Sequence, residues 1–403
     1  MRIFASLLLA IIVLAAPARA QDAAARGRYL AILGDCAGCH THANGPALAG
    51  GLPFNARFGT VYSTNITPDK ATGIGSWTAD QFYRALHEGI AADGTHLYPA
   101  FPYVYFSRIS RQDSDDLFAY LRTIKPVYRK PTPNRLIFPS NIRWGLIFWN
   151  WLFCPGQPPT IPASQSAEWK RGEYLVNGLG HCAGCHTPKN LLFGDRSSQA
   201  FTGGVVDDWY AANLTGRRID GLGKWSHGDL VRYLATGRNK YATAAGNMQE
   251  KVTLSTSHMT DADRDAIATY LKSLPSNGPV GTALPGAKQM EAGEVVFVKN
   301  CKICHAPPGQ PDQPNASLPD YPKLGGDTLV MGRNPTTVLR IILGGAESPV
   351  TPNEHTTYSM PSFVTLSDRD IADVATYIRN SWGNSAGAVS LSAVKSLRAK
   401  ISS

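Results

Sequence analysis

The pentapeptide Cys-x-x-Cys-His occurs three times in this chain of 403 residues, at 36–40, 182–186 and 301–305. This motif is the attachment signal for c-type haem, in which two thiols bond to the porphyrin and the adjacent histidine ligates the iron. The sequence therefore predicts three covalently bound haems. The predicted attachment residues are Cys36, Cys39, Cys182, Cys185, Cys301 and Cys304, and the predicted proximal iron ligands are His40, His186 and His305.

Other kinds of cysteine chemistry fit the pattern less well. A single Cys-x-x-Cys would also suit a thioredoxin-like redox pair or half of a zinc site. An even number of cysteines in an exported protein would suit a framework of three disulfides. Neither alternative explains why a histidine follows every pair. The seventh cysteine, Cys154, is interpreted as a small buried apolar residue.

The N-terminus has the features of a secretory signal. Arg2 precedes an apolar stretch over residues 4–16, and Ala18-Arg19-Ala20 is a small-residue cleavage site. Residues 1–20 are therefore predicted to be a signal peptide and the mature chain to be periplasmic. An uncleaved anchor is the alternative, although the apolar stretch is shorter than the roughly 20 residues that span a bilayer.

The charge balance argues against a nucleic-acid partner. Lys and Arg number 39 against 30 Asp and Glu, and removal of the signal segment leaves 37 against 30, a net charge of +7. The basic residues form no run, and the propionates of three haems would offset much of the excess. A solvated surface of mixed charge is the simpler interpretation, so no nucleic acid is expected.

Internal similarity predicts three copies of one small helical domain. Gly27, Gly172 and Gly293 each precede a haem motif, and a closing helix with a tyrosine ends each repeat. This order resembles the cytochrome c domain, in which a first helix crosses a last one. Glycine at the crossing would let the two backbones approach closely. The predicted fold is all-α, with three tandem cytochrome c domains and proline-rich linkers.

The predicted boundaries follow the clusters of proline and glycine. They are a signal peptide at 1–20, domain 1 at 21–130, an apolar Pro-rich linker at 131–165, domain 2 at 166–274, a linker at 275–288, domain 3 at 289–384 and an amphipathic tail at 385–403. The first linker contains an apolar run over residues 144–154. Three roles remain open for this run: packing between haem domains, docking of a dehydrogenase, or contact with a membrane interface.

The sixth iron ligand decides the role of each haem, because methionine raises the potential and an open position admits external ligands. In repeat three, Met360 precedes the closing helix and is the expected ligand. In repeat two, Met248 is preferred to Met259. The latter lies at the start of the closing helix, where a core role is more natural.

Repeat one has no methionine. The position in register with Met248 is Phe101, which cannot ligate iron. The sixth position of the first haem is therefore either open or occupied by another side chain. His96 is the nearest candidate, followed by the more remote candidates His87, Tyr98 and Tyr103.

Further residues are candidates for supporting the haems. A proximal histidine normally donates its second ring N–H to a carbonyl, and Pro188 and Pro307 lie where such a carbonyl could be held. Asn65 and Asn213 occupy matching positions in repeats one and two. They are expected either to bind propionates or simply to form turns.

Several longer motifs carry a family resemblance over roughly residues 25–384. They are Thr64–Asp69, Gly73-Ile74-Gly75 with Trp77, His96–Ala100, His181–Pro188 and Tyr377–Asn384. With these motifs the chain resembles the tri-haem cytochrome c subunits of periplasmic, membrane-associated dehydrogenases of the alcohol, gluconate, fructose, sorbitol and aldehyde types. Phe101 departs from the methionine usual in that family, and its stretch is similar to cytochrome subunits that accompany molybdenum hydroxylases.

The resemblance implies a function in respiration. Electrons would pass from a catalytic subunit that carries molybdenum, flavin or pyrroloquinoline quinone, through three haems, to ubiquinone or a terminal oxidase. The chain would lie at the periplasmic face of the inner membrane. The expected function is thus that of the non-catalytic subunit of an oxidoreductase. The alternatives are a peroxidase-like enzyme that reacts at the first haem and a soluble shuttle to an oxidase.

Overall fold

A computed structural model describes residues 21–154, 161–278, 284–305 and 323–401. The predicted signal peptide, the middle of both predicted linkers and Pro307 lie outside these ranges. The chain divides into two compact units, one of Met1–Ala163 with Tyr174–His181 and one of Ser164–Glu173 with Cys182–Ser403. Within the described ranges, no helix is both long enough and apolar enough to cross a membrane.

Helices dominate both units. The first unit contains helix α1 over residues 21–33, α2 Cys36–His40, α3 Ala79–Glu88, α4 Tyr103–Phe106, α5 Arg111–Leu121 and α6 Gly145–Phe153. The next helix, α7 Ala167–Tyr174, passes into a π-helix over Leu175–Leu179. The second unit continues with α8 Ala183–His186, α9 His227–Thr236, α10 Asn247–Leu254, α11 Asp261–Ser273, α12 Ala287–Asn300, α13 Lys302–His305, α14 Thr336–Gly344, α15 Asp368–Asn380 and α16 Leu391–Ile401.

Short antiparallel strands, which the all-α prediction did not include, accompany the helices. In repeat one, β1 Pro53–Ala56 pairs with β2 Gly59–Tyr62, and β2 also pairs with β3 Arg135–Leu136, which lies in the predicted first linker. In repeat two, β4 Gly204–Val206 pairs with β5 Trp209–Ala211. In repeat three, β6 Ala346–Glu347 pairs with β7 Ser359–Met360. The described chain is therefore largely helical with three small sheets.

The predicted crossing of first and last helices is present in every repeat. A Cβ placed on Gly27 would lie 1.8 Å from the carbonyl oxygen of Asp116 in α5. A Cβ placed on Gly172 would lie 1.9 Å from the carbonyl oxygen of Ala266 in α11. In repeat three, a Cβ placed on Gly293 would lie 2.2 Å from a carbonyl oxygen of α15. Real Cβ atoms do not approach so closely, so only glycine permits these crossings.

Helix starts are encoded locally. Thr78 and Ser226 cap α3 and α9, and in both a capping box closes with the residue three positions later. Ser367 accepts a hydrogen bond from the backbone N–H of Asp370 at 3.1 Å and caps α15. One helix in each repeat is therefore started by a hydroxyl side chain that lies directly before it.

The predicted amphipathic tail belongs to the core of repeat three. It forms α16, whose Val394 and Leu397 are buried among Leu339 of α14 and Ile371 and Val374 of α15. Burial of this apolar face is the usual fate of an amphipathic helix in a globular domain. The tail therefore serves to complete the third repeat.

Repeats two and three form a single unit. Thr337 of α14 accepts a hydrogen bond from the backbone N–H of Tyr210 at 2.7 Å and donates one to its carbonyl at 3.0 Å. The buried Arg379 guanidinium donates to the carbonyls of Val330 and Gly332 at 2.9 and 2.8 Å, inside repeat three. Contacts of strand β5 with α14 thus bring together the two repeats that the linker at 275–288 separates in sequence.

Candidate haem-attachment sites

Each Cys-x-x-Cys-His motif lies on one short helical turn. The motifs coincide with α2, with α8 and its N-cap Cys182, and with α13 and the residue before it. Residues three and four apart share one face of a helix, so both thiols and the imidazole can address the same ligand.

The structure also separates the alternative roles of the cysteines. No disulfide joins any two of the seven cysteines, all of which lie within the described residues, so the three-disulfide alternative has no support in the structure. Among the described residues, no group of three or more His, Cys, Asp and Glu side chains could hold a metal ion. The zinc alternative therefore has no ligand set within those ranges.

The predicted proximal histidines of repeats one and two are held in the same way. The Nδ1 atom of His40 lies 2.7 Å from the carbonyl oxygen of Thr64. The Nδ1 atom of His186 lies 2.6 Å from the carbonyl oxygen of Ala212. A carbonyl only accepts, so Nδ1 carries the proton and Nε2 keeps its lone pair. That lone pair is what an iron ligand needs.

The two carbonyl groups come from a hairpin and an adjacent asparagine. Thr64 follows β2 and Ala212 follows β5, and the next residue in each case is a buried asparagine. Asn65 accepts from the backbone N–H of Thr67 at 2.9 Å, and its amide donates to the Val127 carbonyl at 2.7 Å.

Asn213 makes the equivalent bonds in repeat two. It accepts from the backbone N–H of Thr215 at 2.8 Å and donates to the Asn277 carbonyl at 3.2 Å. The two asparagines thus secure the loop that orients the histidine, and Pro188 does not supply the carbonyl. Sequence reasoning missed the two carbonyl acceptors because a backbone group leaves no residue signature, although the repeated Asn-x-Thr was visible.

Burial affects the titratable groups of the motifs. Burial lowers the pKa of His40 and of His186, and the carbonyl bond opposes this only in part, which favours neutral imidazoles. Burial raises the pKa of the Cys182 thiol to about 11, and it also raises the pKa of the Cys185 thiol. The positive charge of Lys251 opposes the rise at both thiols.

The effect of Lys251 also places Met248 relative to the second motif. Both residues lie on α10, three positions apart, and therefore on one face of that helix. Lys251 acts electrostatically on both thiols of the motif, so α10 lies within electrostatic range of them, and Met248 remains the predicted ligand of the second haem. Met259 is instead buried just before the N-cap of α11, as expected for a core residue.

In repeat three, Met360 and the attachment motif meet the same core. Met360 ends strand β7, and both it and Cys301 pack against the buried cluster that contains Phe297 and Leu339. His305 ends α13, next to the part of the chain outside the described residues. The expected ligand thus lies on the same cluster as the first thiol.

Repeat one places Phe101 in an aromatic cluster. Its ring centroid lies 5.5 Å from that of Phe106 and 6.4 Å from that of Tyr103. These are ordinary distances for paired aromatic rings. The position that corresponds to Met248 is therefore filled by a hydrocarbon side chain.

The other candidates for the first sixth ligand are engaged elsewhere. Nδ1 of His96 lies 3.4 Å from the amide of Asn150, and a ring that accepts there carries its proton on Nε2. Both ring nitrogens of His87 lie near backbone carbonyls, at 3.1 and 2.6 Å. Tyr98 donates to the Ser140 carbonyl at 3.0 Å, and Tyr103 donates to Asn150 at 2.7 Å.

One buried polar atom tests whether these residues fit a haem. The indole N–H of Trp225 is buried and has no acceptor among the described residues. A buried indole N–H normally finds a partner, since leaving it unpaired costs about 1–3 kcal/mol. A carboxylate such as a haem propionate would supply the acceptor, so the residues of repeat two fit the group.

Comparisons with known proteins agree with this geometry. The family model described as Cytochrome c matches residues 24–125, 170–275 and 290–382. The chain is 38% identical over 406 residues to "Alcohol dehydrogenase (quinone), cytochrome c subunit" of Gluconobacter oxydans (strain 621H), covering 94% of this chain and 84% of the relative. It is 39% identical over 398 residues to "Gluconate 2-dehydrogenase cytochrome c subunit" of Pantoea cypripedii, covering 93% and 89%.

A further relative is a larger protein. It is one of the subunits of a nicotinate dehydrogenase from Pseudomonas putida (strain KT2440), and it is 41% identical to this chain over 369 residues. The match covers 88% of this chain but 30% of that relative. Similarity to this chain is therefore confined to one part of the larger protein.

Proposed function

Since the chain belongs to the cytochrome c family and carries covalently bound haem c in three domains, we propose that it is the tri-haem electron-transfer subunit of a membrane-associated dehydrogenase. Haem c supplies a reversible one-electron couple. The protein holds the haems in place, tunes them and presents them to partners.

One observation carries the proposal: an equivalent support for the proximal histidine occurs in two repeats. His40 and His186 each direct Nδ1 to a carbonyl that follows a hairpin and precedes a buried asparagine. A site that binds and positions a haem needs this support. The carbonyl and the asparagine orient the histidine and have no role in converting a substrate.

The proposed roles of the site residues follow the motif. Thioether bonds are assigned to Cys36, Cys39, Cys182, Cys185, Cys301 and Cys304. Proximal ligation is assigned to His40, His186 and His305, and the sixth positions of the second and third haems to Met248 and Met360. In the first repeat Phe101 leaves the sixth position without a methionine.

The proposed layout keeps the three domains at 21–130, 166–274 and 289–384, joined by proline-rich linkers. The leader at 1–20 would export the chain to the periplasm, where it would lie against the inner membrane. Its partners would be a dehydrogenase catalytic subunit as electron donor and ubiquinone or a terminal oxidase as acceptor. The stretch around Phe101, which is similar to cytochrome subunits that accompany molybdenum hydroxylases, favours a molybdenum-containing donor, and the relative named as a nicotinate dehydrogenase subunit makes nicotinate a candidate substrate of that donor.

The contacts of His96, the nearest candidate for the sixth position of the first haem, do not favour the peroxidase-like alternative. Peroxide cleavage needs an acid or base free to act beside the iron. His96, the candidate for that role, points its Nδ1 at Asn150, and its backbone carbonyl accepts from Arg143 at 2.9 Å. These contacts support a structural role for His96.

The test uses the tagged full-length chain purified from membranes of its host. Haem per chain is measured as the pyridine haemochrome. Reduction is then followed without oxygen after addition of an alcohol, gluconate, fructose or nicotinate, and reoxidation after addition of a soluble ubiquinone. We expect three haems, reduction by one substrate class only when a catalytic subunit is present, and reoxidation by quinone. Peroxide turnover by the chain alone, or haems that stay oxidised in a stoichiometric complex, would contradict the proposal.

A further inference from the structure

Helix α6 exposes its apolar side. Trp144, Ile147, Phe148, Trp151 and Leu152 follow the spacing of one helix face, and all five are exposed. Trp151 is 80% exposed, Trp144 64% and Phe148 61%. A helix of a soluble domain normally turns such a stripe toward the core. The outward stripe is therefore a surface that suits an apolar partner.

The other side of α6 is docked, so the helix has a defined orientation. Leu146 is buried, and Asn150 accepts a hydrogen bond from the buried Tyr103 at 2.7 Å. The Trp149 ring lies 6.3 Å from the Tyr103 ring in an edge-on arrangement. These contacts hold the five outward side chains, which we call the α6 stripe, away from the core.

The charged residues in the chain segment that carries the stripe are all basic. Between residues 117 and 167 the chain has no Asp or Glu and six basic residues: Arg122, Lys125, Arg129, Lys130, Arg135 and Arg143. The whole chain, by contrast, has 39 basic and 30 acidic residues. Five of these six basic residues are exposed. Arg143 interacts electrostatically with the carboxylate of Asp93, which lies outside the segment. The region thus combines apolar side chains with an excess of positive charge.

This combination favours a lipid surface over a protein. Cations in the same segment as exposed Trp, Phe and Leu are typical of helices that lie in the headgroup region of anionic membranes. Tryptophan suits that depth because its ring is apolar and its N–H can reach polar groups. A helix of nine residues is about 14 Å long, too short to cross a bilayer, so it would lie in the plane of the interface.

We propose that the α6 stripe inserts into the interfacial region of a bilayer that contains anionic phospholipid, and that the basic residues of segment 117–167 bind its headgroups. This inference deepens the proposed function, because it names the surface by which the chain meets the membrane. Ile137 and Phe138, in the segment that leads into α6, are exposed as well. The docked side of the helix stays on the protein.

The test is flotation of the purified holoprotein with vesicles of phosphatidylcholine, with and without phosphatidylglycerol. We expect binding that requires phosphatidylglycerol and weakens with salt. The variant Phe148→Ser/Trp151→Ser should lose at least about tenfold in partitioning, because each large apolar side chain contributes more than a factor of ten when buried. The control Leu191→Ser/Val295→Ser changes two side chains exposed elsewhere and should float like the wild type.

A second variant tests the charges. Lys130→Gln/Arg135→Gln should weaken binding to the anionic vesicles and reduce its salt dependence. Stripe variants that float like the wild type would overturn the inference. A wild type that does not bind vesicles but forms a dimer through the stripe, detected as a dimer mass by light scattering, would also overturn it. The same holds for a wild type that does not bind vesicles but binds the catalytic subunit through the stripe, detected as loss of that subunit from the stripe variant. The haem content of the samples and the reduction of the haems by substrate are measured alongside flotation. A failure of electron transfer is therefore distinguished from a failure of membrane binding.

Discussion

The imidazole of His186 and the backbone carbonyl of Ala212 lie 2.6 Å apart between Nδ1 and oxygen. The carbonyl cannot move freely, because the next residue, Asn213, is buried and bonded on both sides to backbone groups. An accepting carbonyl raises the basicity of the imidazole and fixes its orientation. The loop after strand β5 therefore influences the basicity and orientation of His186, the predicted proximal ligand of the second haem.

Removal of the Asn213 side chain should weaken this support. Asn213→Ala leaves the N–H of Thr215 and the carbonyl of Asn277 without their side-chain partner, so we expect a loss of about 1–3 kcal/mol in the free energy of unfolding. The reduction potential of the second haem should also shift. Denaturant titration and redox titration measure the two effects. Asn55→Ala, on the exposed hairpin of repeat one, should change stability by less than about 0.5 kcal/mol.

The crossing of α7 and α11 should not tolerate a methyl group. In Gly172→Ala the new Cβ would meet the Ala266 carbonyl at 1.9 Å, so the helices must separate. We expect a loss of more than about 3 kcal/mol and a lower yield of haem in this repeat. Gly228→Ala, in α9 of the same repeat, has its nearest neighbour 4.0 Å away and should stabilise by about 0.5–1 kcal/mol. Equal stabilities of the two variants would show that the crossing is not close.

Asp327 should make folding depend on pH. Burial raises the pKa of its carboxyl to about 7, although the backbone N–H groups of Val330 and Leu329 oppose the rise. The folded chain thus keeps the proton to a higher pH than the unfolded chain. The contribution of Asp327 to stability is greatest below about pH 4 and falls by on the order of a few kcal/mol as the pH approaches 7.

The variant Asp327→Asn isolates this effect. The amide keeps an oxygen for the two backbone N–H groups and has no proton to lose. Urea titrations at several pH values between about 3 and 8, which bracket the pKa values of the unfolded and folded chains, should give a flatter curve for the variant and a higher stability at neutral pH. Parallel curves for the two proteins would mean that Asp327 does not govern the slope.

The two methionines of repeat two should respond differently to substitution. Met248→Ala should lower the potential of the second haem and remove one methionine–iron charge-transfer band from the spectrum of the ferric protein. Met259→Ala should leave the spectrum unchanged and cost about 2–5 kcal/mol, because Met259 is buried in the core. The reverse pattern would assign the ligand to Met259.

Phe101→Met should change the first haem. The substitution restores a thioether in register with Met248, and the potential of this haem should rise with the appearance of one further methionine–iron band. Phe118→Met adds a methionine to helix α5 of the same repeat and serves as the control. In the wild type, carbon monoxide should bind to the ferrous first haem in preference to the other two. Equal reactivity of all three haems, or a Phe101→Met spectrum like that of the wild type, would contradict this.

Local features were predictable because their causes lie within a few residues. The Cys-x-x-Cys-His turn needs one helical turn, and the cap at Ser367 needs only the residue three positions later. The crossing glycines were recognised because Gly27, Gly172 and Gly293 recur at similar distances before the motif. Repetition supplied a comparison within a single chain.

Contacts between distant segments decided the rest. The bond from His40 to the Thr64 carbonyl, the engagement of His96 by Asn150, and the burial of Val394 in the third repeat each join residues that are distant in sequence. The sequence by itself determined that three haems are attached and which histidines adjoin them. Only the tertiary structure decided which groups orient those histidines and which apolar faces remain outside, because both depend on which segments the folded chain brings together.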